Sequence, residues 1–112
     1  MGRADVPDLL PGTLELLILQ ILARAGELHG YGIAQHLKDL SDEVLQVGES
    51  SLYPALQRLL VKGWVKSEWG SSENNRRARY YTLTANGRKH LVIERQAFGD
   101  LIVAIQKIIR AT

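Results

Sequence analysis

The chain of 112 residues contains no cysteine. This absence excludes disulfide bridges, thiolate metal ligands and a cysteine nucleophile. The longest apolar stretch, Leu16 to Ala25, is interrupted by Gln20 and Arg24, and it is too short for a bilayer, which takes about 20 apolar residues. The first residues show no pattern typical of a targeting segment. We therefore expect a soluble cytoplasmic protein that has no contact with a membrane.

Patterns typical of catalysis are also missing. The three histidines, His29, His36 and His90, have neither a histidine four residues away nor a cluster of carboxylates, so they do not resemble a zinc site or a general base. The segment Gly30–Gly32 lacks the third glycine of a dinucleotide-binding loop. We expect no enzyme activity, no metal and no cofactor.

The charge of the chain is unevenly distributed, although its formal net value is only +2. Residues 1–48 carry three basic and seven acidic side chains, a net charge of −4. Residues 49–90 carry eight basic and three acidic side chains, a net charge of +5. A local excess of this kind points to a polyanionic partner for the middle segment, with an ordinary solvated basic surface as the alternative.

Hydrophobic periodicity predicts three short helices in the first half of the chain. The first spans roughly residues 13–25, with one apolar face and a second side that Leu16 and Leu19 suggest is also buried. After a link of about five residues, the second spans roughly 32–40. The third begins with Ser51 as its N-cap, so that Pro54 falls within the first turn, where its missing N–H has no intrahelical acceptor. Gly63 ends it.

The second half predicts a hairpin followed by a long helix. Residues 64–69 and 78–83 read as two strands, and the tip between them, 70–77, contains no apolar residue. Thr84 is a suitable N-cap for a last helix that reaches about Arg110. We therefore predict a mainly α fold with a small β-hairpin: a winged helix-turn-helix DNA-binding domain in residues 1–83, of which 1–9 are a flexible N-terminus, and a C-terminal dimerisation helix in residues 84–112.

A winged helix-turn-helix presents its third helix to the major groove of double-stranded DNA, and its hairpin to the flanking backbone or minor groove. Polar and basic residues of these two elements are candidates for base and phosphate contacts. The predicted DNA-binding residues are Ser50, Ser51, Tyr53, Gln57, Arg58, Lys62, Lys66, Arg76, Arg77 and Arg79.

Heptad-like spacing of apolar residues along the last helix predicts a homodimer. A helix of this length exposes more apolar surface than the preceding unit can cover, and a two-fold axis would bury it while presenting two recognition helices. We expect a pseudo-palindromic operator with half-sites about one helical turn apart. The predicted dimerisation residues are Leu91, Phe98, Leu101, Ile102, Ile105, Ile108 and Ile109.

Four segments resemble the PadR family of bacterial transcriptional regulators: residues 10–19 (LPGTLELLIL), 29–33 (HGYGI), 51–65 (SLYPALQRL followed by GWV) and 79–87 (RYYTLT and a glycine). The resemblance covers roughly residues 9–91. It implies a winged helix-turn-helix, a homodimer formed through the C-terminal helix and, usually, repression of nearby genes. The short chain with one such helix resembles the smaller subfamily.

Some members of that subfamily bind flat hydrophobic molecules between the subunits, which suggests a small hydrophobic effector. Phe98 is the one aromatic residue of the last helix, and the alternative for this region is a plain dimer core. Two further alternatives concern the whole protein. Winged helices also serve as protein-interaction modules that do not bind DNA, and RNA binding is disfavoured because we expect no exposed aromatic platform.

Overall fold

The computed structural model describes residues 4–5 and 12–111. Most of the predicted flexible N-terminus and the first two residues of the LPGTLELLIL segment lie outside the described residues. Within these described residues, four helices and five strands follow one another in the order β1 (Ala4–Asp5), α1 (Thr13–Ala25), β2 (Glu27–His29), α2 (Gly30–Leu40), β3 (Leu45–Gln46), α3 (Glu49–Lys62), β4 (Val65–Ser71), β5 (Arg77–Leu83) and α4 (Ala85–Arg110).

Helix α1 is the centre of the core. Ile18, Leu19 and Leu22 are completely buried, and Leu16 is nearly so, which confirms the prediction that the helix is buried on more than one side. Gly26 ends the helix at a φ of 90°, a backbone conformation that favours glycine, and its amide donates to the carbonyl of Leu22.

The link between α1 and α2 differs from the prediction. Residues 27–29 form strand β2, and α2 begins at Gly30 rather than at Gly32. The side chain of His29 caps the helix by accepting a hydrogen bond from the amide of Gly32. The sequence did not indicate either feature, since histidine is not among the preferred N-cap residues.

The start of α3 also differs from the prediction. The helix begins at Glu49 and its N-cap is Gly48, so the assignment of Ser51 as N-cap was wrong. Amides of residues 51 and 52 donate to the Gly48 carbonyl and extend the helix by a turn. Pro54 is consequently the sixth residue of the helix, and its ring deprives the Ser50 carbonyl of the usual helical donor. Gly63 ends the helix in a left-handed conformation, as predicted.

The predicted hairpin is confirmed and belongs to a three-stranded antiparallel sheet. Strand β5 is central, with β4 on one side and β2 on the other, so that Glu27 pairs with Thr82 and Val65 with Leu83. Strands β1 and β3 form a separate parallel pair. Sheet and helices enclose one core, to which the sheet contributes the buried side chains of Val65, Tyr81 and Leu83.

Helix α4 begins as predicted, with the Thr84 hydroxyl accepting from the amide of Gly87. Its first half packs against α1, where Arg95 donates to Gln20, and Leu91 belongs to the core. Its 26 residues correspond to about 39 Å at 1.5 Å per residue. Its second half contains no buried residue and projects beyond the core, and the whole molecule measures 55 × 33 × 21 Å.

Candidate nucleic-acid interface

We call the β4–β5 hairpin the wing, and we call the face that it turns towards α2 its inner face. This inner face carries an aromatic and basic cluster. Trp69 lies directly opposite Arg79, and Arg77 is its diagonal neighbour on the same face. The guanidinium carbons of Arg77 and Arg79 are 4.6 and 5.8 Å from the centre of the indole ring. Arg79 also donates to the Ser67 hydroxyl at 2.8 Å. Contacts within the wing therefore hold both cations over the tryptophan.

The tip of the wing is a compact turn. The amide of Ser72 donates to the Arg76 carbonyl and the amide of Asn75 to the Ser72 carbonyl. Asn75 has a φ of 59°, a left-handed conformation that asparagine tolerates better than most residues. Asn75 is thus a turn-forming residue. The turn leaves the side chain of Arg76 exposed beside Arg77.

A groove of about 1000 Å³ separates the inner face of the wing from the start of α2. Tyr31, Tyr53 and Trp69 line it and are 73%, 45% and 59% exposed. The expectation that the chain has no exposed aromatic platform was therefore wrong. The three residues are distant in sequence, and the turn at Gly30 and the hairpin register bring them together.

One glycine-dependent contact shapes this groove. A Cβ atom on Gly30 would lie 2.7 Å from the Tyr53 hydroxyl, so the absence of a side chain lets the tyrosine of α3 lie against the first turn of α2. Helices α2 and α3 are thereby held close together beside the groove. Tyr80 packs against Gly70 on the outer face of the wing, and its ring lies 5.4 Å from that of His29.

The floor of the groove is apolar and joins the core. Tyr81 and Leu28 line it, and Tyr81 is 4% exposed. Burial raises the pKa of the Tyr81 phenol, and the nearby Arg79 offsets this effect in part. The phenol therefore remains a neutral group in the base of the groove.

The predicted contact residues of α3 lie on its outer surface. Ser50, Tyr53 and Gln57 are exposed and Ser51 is half-buried, while Leu52, Leu56 and Leu59 face the core. Glu49 is exposed in the same first turn. The helix thus presents hydroxyl, phenol and amide groups, the polar groups that read base edges, beside one carboxylate.

Two of the predicted DNA-binding cations have a partner within the protein. The Glu15 carboxylate of α1 accepts from Arg58 Nε at 2.8 Å and from Lys62 Nζ at 2.7 Å. Burial tends to raise the pKa of Glu15, but these two cations outweigh it and hold the pKa below 4.5. The sequence signal for this cluster was an acidic residue in the apolar first half of α1; its partners lie more than 40 positions away.

The predicted residue Lys66 lies on the other face of the wing. It pairs with Thr82, and because successive strand residues point to opposite faces, it shares the outer face with Glu68. The structure therefore brings together Arg76, Arg77 and Arg79 on the groove side and does not bring Lys66 to them.

The predicted dimerisation residues fall into two groups. Leu91 is 5% exposed within the core of its own subunit, and Phe98 packs partly against that core. Ile102 and Ile105 are half-buried, while Leu101, Ile108 and Ile109 are exposed. The apolar residues of the projecting half of α4 thus remain accessible to a second copy, whereas Leu91 is already buried in the core of its own subunit.

A cavity of about 160 Å³ lies between α1 and α4, with Phe98, Leu16 and Leu101 among its lining residues. Small-molecule sites enclose roughly 300–1,000 Å³, so a single subunit does not offer a full site here. Among the described residues, no group of three or more histidine, aspartate or glutamate side chains could hold a metal ion. No helix in the described part of the chain is long and apolar enough to cross a membrane.

Comparison with known proteins identifies relatives of the whole arrangement. Residues 18–92 match the transcriptional regulator PadR-like family. A solved transcriptional regulator from Clostridium thermocellum superposes with a TM-score of 0.77 at 30% identity, covering 86% of this chain and 92% of that one. A PadR family transcriptional regulator from Eggerthella lenta gives a TM-score of 0.76 at 26% identity, with 90% and 85% covered.

Among curated proteins, the negative transcriptional regulator PadR of Bacillus subtilis is 31% identical over 79 residues. The match spans 70% of this chain but 43% of that protein, so the relative has a large part without a counterpart here. The family match covers the larger part of α1, all of α2, α3 and the wing, and the first turns of α4. The chain therefore belongs to the PadR-like family of transcriptional regulators.

Proposed function

We propose that the protein is a sequence-specific DNA-binding repressor that acts as a homodimer on a pseudo-palindromic operator. The observation that carries this proposal is the position of the wing arginines. Arg77 and Arg79 are held on the inner face of the wing, across a groove from Tyr53 at the exposed end of α3. A recognition helix and a basic wing that face one partner are the two parts that a winged helix-turn-helix applies to DNA.

The site residues divide by role under this proposal. Ser50, Ser51, Tyr53 and Gln57 contact base edges and nearby phosphates in the major groove. The wing residues Arg76, Arg77 and Arg79 contact phosphates. Arg58 and Lys62 act mainly through Glu15, which fixes α3 on α1, and their exposed portions add a weaker attraction for the backbone. Lys66 contributes only general positive potential.

The dimer rests on the apolar residues of the projecting half of α4. Leu101 and Ile108 are 43% and 72% exposed, and a second α4 packed along them would remove this surface from water. A small hydrophobic effector bound between subunits remains a prediction, with the cavity beside Phe98 as its nearest structural feature. The repressor role is supported by the Bacillus subtilis relative, which is a negative regulator.

A titration of labelled duplex DNA tests the proposal. The duplex carries the region upstream of the protein's own gene, and fluorescence anisotropy gives the affinity at several salt concentrations. We expect the triple variant Arg76→Ala, Arg77→Ala, Arg79→Ala to bind more weakly and to lower the slope of log K against log salt by roughly 0.9 for each phosphate that it no longer neutralises. The charge-matched control removes three exposed cations elsewhere, Arg24, Lys107 and Arg110, and should retain the slope.

Four results would contradict parts of the proposal. Equal slopes for the triple variant and its control would remove the wing from the interface. Equal affinity for the upstream duplex, genomic fragments and random duplex would contradict sequence specificity, and a complete lack of duplex binding would favour a protein-interaction module. Deleting the gene should raise expression from the bound promoter; unchanged or lower expression would contradict repression.

A further inference from the structure

Trp69 is an exposed aromatic residue that the fold itself does not require. Its indole lies on the inner face of the wing, nearer to the tip than Val65 and Tyr81, which are the buried residues of the same face. A large apolar side chain that remains 59% exposed contributes little to the core. Apolar surface beside charged groups instead marks sites where a partner binds.

The other walls of the groove also carry aromatic and charged side chains. Tyr31 and Tyr53 present two further aromatic side chains from α2 and α3. The charged residues that line the groove are Arg76, Arg77, Arg79, Asp39 and Glu73, so cations exceed anions. A ligand that fits must therefore offer both anionic groups for the arginines and an apolar edge for the aromatic rings.

We propose that Trp69 is a DNA-contacting residue that packs against the deoxyribose edge of one duplex strand seated in this groove, while Arg77 and Arg79 bind the adjacent phosphates. The sugar-phosphate backbone alternates anionic and apolar groups, which matches the alternation of guanidinium and indole on the wing. This inference rests on the proposed DNA-binding function and adds to it a residue and an apolar component of binding.

The apolar component has a distinct dependence on salt. Phosphate contacts release counterions, so their removal lowers the salt slope. Burial of an indole against a sugar releases no counterion, and its removal weakens binding without changing the slope. Trp69→Ala should therefore reduce affinity about tenfold, a typical effect for an aromatic contact with nucleic acid, at an unchanged slope. Arg77→Ala should reduce both affinity and slope.

The two tryptophans allow a direct measurement of this contact. Trp64 immediately precedes β4, at the end of the wing away from the tip, and its ring stacks on that of His90 with 4.3 Å between the ring centres. The variant Trp64→Phe keeps a ring on His90 and leaves Trp69 as the one tryptophan. We expect acrylamide, an uncharged quencher that DNA does not repel, to quench Trp69 less in the complex with the upstream duplex than in the free protein. The converse variant, Trp69→Phe, reports on Trp64 and should show no change at saturating duplex.

Each outcome has one meaning. Protection of Trp69 together with weaker binding of Trp69→Ala at an unchanged slope supports the contact. Binding of duplex with unprotected Trp69 overturns the inference and leaves the proposed function intact. A Trp69→Ala slope as low as that of Arg77→Ala overturns the contact too, because the ring would then act only by positioning arginines. Absence of duplex binding overturns both proposals. Trp69→Thr, which keeps strand propensity, repeats the test if the alanine variant unfolds.

Discussion

The Glu15 carboxylate in α1 lies 2.8 Å from Nε of Arg58 in α3. The Glu15 side chain is nearly buried, whereas that of Arg58 is half exposed. Lys62, one helical turn further along α3, binds the other carboxylate oxygen. The carboxylate of Glu15 and the two cations thus join α1, the central helix of the core, to α3, the helix proposed to read DNA. These contacts help to fix the angle between the two helices.

Replacement of Glu15 by glutamine should destabilise the fold. The amide keeps the shape of the side chain but removes the charge, and hydrogen bonds to charged groups contribute about 1.5–3 kcal/mol; the exposure of both cations reduces this to about 1–2 kcal/mol. The matched control is Glu43→Gln, because Glu43 forms a surface pair with Lys38 at 3.9 Å worth roughly 0–1 kcal/mol. Urea unfolding at equal protein concentration compares them, and equal destabilisation would contradict the prediction.

The same cluster should make stability depend on pH in the acid range. The cations hold the pKa of Glu15 below 4.5 in the folded protein, so the unfolded chain binds this proton more tightly. The stabilisation is therefore complete above 4.5 and is lost as the pH falls through the folded-state pKa. Urea midpoints should fall more steeply below pH 4.5 for the natural protein than for Glu15→Gln. Parallel curves would show that other groups account for acid unfolding.

Gly87 should be indispensable to the junction of the wing and α4. A Cβ atom at this position would overlap the backbone carbonyl oxygen of Trp64, which also accepts from the Thr84 amide. The added Cβ atom and the Trp64 oxygen could move apart only if the start of α4 opened. Gly87→Ala should therefore clearly lower the midpoint temperature of thermal unfolding.

The matched control for Gly87 is another glycine of the same helix. Gly99 has no atom within 4 Å of an added Cβ, and alanine there should stabilise α4 by about 1 kcal/mol through helix propensity. Comparable destabilisation by both substitutions would mean that a general reduction of flexibility, and not the Trp64 contact, is responsible.

The sequence predicted what local patterns determine. Four helices, the hairpin and the Thr84 cap followed from periodicity, turn residues and capping preferences. The PadR resemblance of the HGYGI and SLYPALQRL segments supported the order of the elements. The start of α3 was misplaced because Ser51 is a preferred type of N-cap residue, whereas the structure uses Gly48.

Long-range features could not be predicted from the sequence for a common reason. The pairing of Glu15 with Arg58, the contact of Tyr53 with Gly30 and the edge strand β2 each join segments that are distant in sequence. Patterns of spacing describe one element at a time, so a basic residue on a helix looks the same whether it faces DNA or a buried acid. The wing arginines could be predicted as DNA contacts from the sequence because a hairpin tip without apolar residues is itself a local signal, and that role stays a prediction.

Dimerisation should depend on one face of the projecting half of α4. Leu101 and Ile108 lie on the face of the predicted seam, and at about 100° per residue Val103 lies roughly 160° from Leu101 and roughly 140° from Ile108 around the helix. All three are exposed, so aspartate at any of them leaves the core of the subunit intact. We expect Leu101→Asp with Ile108→Asp to sediment as a monomer at micromolar concentration and to bind a two-half-site duplex more weakly, because each subunit then binds alone.

The control Val103→Asp adds the same kind of charge to the same part of the helix but should remain a dimer. A dimer for both variants would place the interface elsewhere, and a monomer for both would mean that the face of α4 does not matter. A monomeric natural protein would contradict the homodimer directly. If only the seam variant dissociates yet still binds the full duplex with unchanged affinity, the two half-sites act independently. The dimer would then have no part in recognising the operator.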